Sequence, residues 1–94
     1  MRLVGRDGTT YNGDVTVSVV YYDGAGEVVK SQRFHPFEHE DRDLFLRSAE
    51  RVAENIIFPT NPRVRKAVLT WTAPDSEVGI VLHAPEPGSA GFGF

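Results

Sequence analysis

Apolar and polar residues alternate with a period of two over Val15–Tyr22, so that Val15, Val17, Val19 and Tyr21 fall on one side and Thr16, Ser18, Val20 and Tyr22 on the other. Its β-branched and aromatic content makes this run the clearest strand in the chain. Asp23-Gly24-Ala25-Gly26 follows, a turn whose glycines accept positive φ at little cost, and Val28–Phe34 is predicted to return as the hairpin partner. A second alternating pair lies further on. Arg65–Thr72 places Ala67, Leu69 and Trp71 on one face, Val78–His83 places Val78, Ile80 and Leu82 on one face, and a turn built on Pro74-Asp75 joins them. Near the start, Arg2–Gly5 and Thr9–Tyr11 are short extended runs separated by Asp7-Gly8, a strong turn signal.

Between the two hairpins the period changes to 3.6. Within Phe37–Phe58, Leu46, Ala49, Val52, Ala53, Ile56 and Ile57, with Phe45, recur at spacings of three and four and predict one broad apolar helix face. Glu38, Glu40, Asp41 and Asp43 crowd the start, where negative charge suits the positive end of the helix dipole. Asp41 is the expected N-cap; Pro36 at a first helical position is the alternative, earlier start. Pro59 and then Asn61-Pro62 are expected to end the helix.

The order of elements predicts an α+β fold, an antiparallel sheet of four or five strands with a single α-helix packed on one face, in the order β-β-(β)-α-β-β. Residues 1–83 form the predicted domain, and 84–94 (APEPGSAGFGF) are expected to be a flexible Gly/Pro-rich tail. Phe92 and Phe94 in that tail are candidate anchors for a groove on a partner protein.

Ninety-four residues with 40% hydrophobic and 24% charged content suit one soluble domain. No run approaches the roughly 20 apolar residues of a membrane span, and no signal-peptide pattern opens the chain, so the expected location is the cytoplasm, away from membranes. The absence of Cys removes disulfides, thiolate zinc sites and thiol catalysis from consideration. Net charge of −3 provides no overall positive field to attract nucleic acid.

Two short motifs invite a chemical reading. His35-Pro36-Phe37-Glu38-His39 spells H-x-x-E-H, the zinc-binding pattern of inverted metallopeptidases, but Pro36 interrupts it at a strand-to-helix junction, whereas those ligands share one helix. Gly24-Ala25-Gly26 begins like a dinucleotide fingerprint, yet Val29 stands where the third glycine belongs and the segment is a hairpin turn. The acids at the helix start are accounted for by the dipole. No nucleophile–base pair is recognisable, so the chain reads as non-enzymatic, with no cofactor and no bound metal.

What remains is a matter of faces. A single helix closes one side of the sheet, and the other side then presents Val20, Tyr22, Val68, Thr70 and Val81, more apolar than a solvated face requires. The expected role is a small protein-interaction or accessory module acting through this open face, as a homodimer or as a subunit bound to another protein. The alternative is a nucleic-acid-associated protein that stacks bases on Tyr21, Tyr22, Phe34 and Trp71 beside the basic cluster Arg63, Arg65 and Lys66.

Overall fold

A computed structural model of the chain describes residues 2–85. Two short strands, β1 (Arg2–Val4) and β2 (Thr10–Asn12), pair antiparallel as a separate ribbon. Gly8, at φ 86°, supplies the left-handed residue of their turn. The main sheet contains β3 (Thr16–Tyr22), β4 (Val28–Phe34), β5 (Lys66–Ala73) and β6 (Ser76–His83) in the spatial order β4-β3-β5-β6, all neighbours antiparallel. The α+β architecture is thus the expected one, with the N-terminal runs forming their own ribbon rather than a fifth strand.

The turn between β3 and β4 is built by Asp23, whose carboxylate accepts the N–H groups of Ala25 and Glu27, both at 2.9 Å. Directly after it, Tyr22 pairs with Val28 but Tyr21 with Lys30, so Val29 is an extra, bulged residue. Because β4 and β5 each run antiparallel to β3, they are parallel to one another, and the helix makes the crossover between them.

The helix begins as α1 (Arg42–Val52), capped by Asp41, whose carboxylate accepts the Leu44 N–H at 3.0 Å. Residues Phe37–Glu40, placed by the periodicity inside the helical stretch, instead form a turn anchored on the β1–β2 ribbon, with the Glu40 N–H donating to Phe37 O at 3.1 Å. Tyr11 bridges to Phe37, and the Glu38 N–H donates to Thr10 O at 3.1 Å. Pro59 does not end the helix. A π turn (Ala53–Ile57) and a final turn, α2 (Phe58–Thr60), carry it through the proline to Asn61. Proline has no N–H to donate, and its ring crowds the carbonyl four residues earlier. Widening the preceding turn, so that the Phe58 N–H reaches Ala53 O five residues back, accommodates it.

The π turn also changes which side chains are buried. Ala53 and Phe58, five residues apart, both reach the core, whereas Ile56, assigned to the core by a 3.6 period, is 54% exposed. Val52, likewise assigned to the core, is 44% exposed. The extra residue advances the wheel, so the position one step later takes the inward direction.

The core lies between sheet and helix: Val15, Val17, Val19, Tyr21, Ala67, Leu69, Trp71 and Leu82 from the sheet side, Leu46, Ala53, Phe58 and Val64 from the helix and the segment after it. Register places Val78, Ile80 and Leu82 opposite Trp71, Leu69 and Ala67, so all three share the helix side as expected. Phe45 joins them by an edge-on contact with Trp71, ring centroids 5.6 Å apart.

Candidate functional site

The register of the four main strands arranges the open face in rows. Val20, Val68 and Val81 are direct cross-strand neighbours and form an apolar row over β3, β5 and β6. The next row on one side is Ser18, Thr70 and Gly79; on the other it is Tyr22, Lys66 and His83. Beyond Ser18 and Thr70 lie Thr16, Thr72 and Glu77, with Thr72 Oγ1 donating to Glu77 at 3.3 Å. All five residues expected on this face, Val20, Tyr22, Val68, Thr70 and Val81, therefore share it. Val81 is 56% exposed, and the others are partly covered by neighbouring strands.

The aromatic residues do not gather there. Tyr21 and Trp71 are buried on the helix side, Phe34 pairs with Val17 and so shares that side, and Tyr22 alone among the four lies on the open face. The basic cluster is likewise distributed over three partners. Arg63 approaches Asp23 at 3.9 Å, Arg65 donates to Pro85 O at 3.0 Å, and the Lys66 ammonium sits 4.6 Å from the centre of the Tyr22 ring. Burial of the Tyr21 hydroxyl raises its pKa above the ordinary tyrosine value, because the phenolate would lose hydration.

The H-x-x-E-H residues serve the chain's own structure. His35 Nδ1 lies 2.6 Å from Val15 O; a carbonyl only accepts, so Nδ1 carries the proton and ties the end of β4 to the residue before β3. Glu38 pairs with Arg2, and His39 is exposed. Among the described residues no three His, Asp or Glu side chains converge in a way that would hold a metal ion. Asp7, in the first turn, is held below the ordinary carboxylate range by the backbone N–H and then the hydroxyl of Thr9.

A second apolar surface went unseen in the sequence. Four strands at about 4.8 Å spacing make a sheet roughly 19 Å wide, whereas one helix is about 10 Å across. The helix sits over β5 and reaches edge strand β4 through Phe45, whose ring centre is 5.8 Å from that of Phe34, while most of β4 stays exposed. The result is a groove of about 330 Å³ between α1 and β4, with Phe45, Ala49 and Val52 on the helix wall and Phe34 and Gln32 on the strand wall. It continues into a second depression of about 580 Å³, which shares Tyr21, Gln32 and Val52 and adds Lys30, Ile57 and Asn61. The available signal was an apolar helix stripe broader than one packing face needs, with Phe45 and Val52 at its margin.

Phe92 and Phe94 lie outside the described residues. No helix among the described residues is long and apolar enough to cross a membrane. Compared with known proteins, the chain matches no family model, no curated protein and no solved structure.

Proposed function

We propose that the chain is a non-enzymatic interaction module that self-associates through the open face of its sheet. The observation that supports this reading is the pairing of a bulky row with an adjacent flat one. Consider a two-fold axis lying in the interface, perpendicular to the strands and between these two rows. Val20, Val68 and Val81 of one copy then rest on Ser18, Thr70 and Gly79 of the other, and Gly79 offers no side chain to obstruct Val81. The same operation lays the Lys66–His83 end of one copy over the Thr72–Glu77 end of its partner, opposing cation to carboxylate.

A face of four strands, each seven or eight residues long, covers on the order of 450 Å² per copy, about 900 Å² for the pair. That is at the low end for specific interfaces and calls for a reversible dimer, formed at about 10 µM or above. Sedimentation equilibrium across about 10 µM to 1 mM tests it. The expected result is a monomer–dimer equilibrium that Val68→Glu abolishes, because each copy would have to bury a carboxylate at the centre of the interface. A strict monomer throughout, or unchanged association in the variant, refutes the reading.

A second reading, single-stranded nucleic acid bound at the same face, has the stacked Tyr22–Lys66 pair behind it. It requires binding of a labelled oligonucleotide at low salt that weakens with added salt and with Lys66→Glu.

A further inference from the structure

We infer that the groove between α1 and β4 is a docking site for one amphipathic α-helix of a partner protein, its acidic flank turned toward Lys30. The geometry asks for a helix. Phe45, Ala49 and Val52 line the groove at helical spacing, and the five-residue step through the π turn brings Ile57 into the same row. This second apolar stripe lies beside the one that packs on the sheet, and Ser48 and Ala49 at its centre are small enough for a neighbouring helix to approach closely. From Phe45 to Asn61 the row is about 24 Å long at 1.5 Å per residue, the length of a helix of about 16 residues. A helix laid there would cover the side of edge strand β4 that α1 leaves bare.

The charge of the site selects the flank. Among the described residues Lys30 is the sole ionisable side chain apart from Tyr21 lining the groove, and none of them brings a carboxylate to it. Another copy of this chain is a poor donor. Among the described residues α1 and its continuation are the one long helix, and its own core stripe is already committed to the sheet. The occupant is therefore a helix from a different protein.

Fluorescence anisotropy on the full chain tests the inference with three labelled peptides of about 15 residues. All carry leucines at i, i+3, i+4 and i+7; one has Glu flanks, one has Lys flanks, and one is the Glu peptide broken by a central proline. The expected result is saturable binding of the Glu-flanked helix, at least tenfold weaker binding of the Lys-flanked one, and none of the broken one. Val52→Glu, at a position 44% exposed, removes binding. Lys30→Glu reverses the preference for flank charge, and Val68→Glu, on the opposite face, leaves binding unchanged. Equal affinity for all three peptides, binding that survives Val52→Glu, or no saturable binding overturns the inference. So does binding that occurs only after residues 86–94 are removed, which would make that segment the occupant, and so does preferential uptake of a simple amphiphile such as dodecanoate.

Discussion

Leu69 and Val68 are neighbours on β5 that point to opposite sides of the sheet, so truncating each to alanine measures how differently the two sides are covered. Leu69 is 1% exposed and sits between Val19 and Ile80 on the flanking strands. Leu69→Ala removes three carbons from water-free surroundings, about 2.4 kcal/mol at 0.8 kcal/mol per buried carbon. The void left under the helix adds to this, giving a total of about 3–4 kcal/mol. Val68→Ala removes two carbons that are about half covered, and solvent fills the space, so its cost is about 0.8 kcal/mol. Urea unfolding followed by the fluorescence of Trp71, the single tryptophan and itself buried in the helix-side core, reads both variants. Measured at about 1 µM, below the expected dimer range, Leu69→Ala should cost at least three times as much as Val68→Ala. Equal costs at that concentration would mean that the face opposite the helix is already closed within one copy, and the reasoning that leaves it open for a second copy would fail.

Three further outcomes are expected. His35→Ala should lower stability by about 1–2 kcal/mol by leaving the Val15 carbonyl without its donor, while His39→Ala stays within about 0.5 kcal/mol; equal losses in urea titrations would contradict the structural role given to His35. Asp41→Ala should cost about 1 kcal/mol, seen as a drop of several degrees in Tm, because the Leu44 N–H loses its cap. Folding keeps the raised-pKa Tyr21 protonated, whereas the unfolded chain ionises near 10.0, so above that pH the unfolded state binds fewer protons and stability falls. Tyr21→Phe should flatten this alkaline decline relative to the parent chain, and an unchanged slope would show that Tyr21 does not contribute to it.

The open-face residues were legible because a period of two assigns every strand position to one of two sides, and the helix decides which side is closed. The helix-side groove was not. Whether one helix covers two strands or four depends on sheet width and crossing position, which no local pattern encodes. Val52 illustrates this: its spacing from Ala49 and Phe45 marks it as part of an apolar stripe, yet only the placement of β4 reveals that the stripe borders a void. Ile56 shows the complementary failure. Its burial was inferred from a constant 100° per residue, and the π turn that precedes Pro59 breaks that constancy.

Local physical chemistry in the sequence therefore determined the element types, the Asp41 cap, the strand faces and the absence of any thiol chemistry. These follow from side-chain alternation, backbone capping and composition, all properties of short segments. Tertiary structure decided the rest. It brought Val20, Val68 and Val81 into one row through the register of three strands, spent His35 on the Val15 carbonyl, and separated Tyr21 and Trp71 from Tyr22. It also left most of β4 outside the cover of α1. Each of these depends on contacts between residues far apart in the chain, where the width of a sheet and the diameter of a helix, rather than any local preference, set what is covered and what stays open.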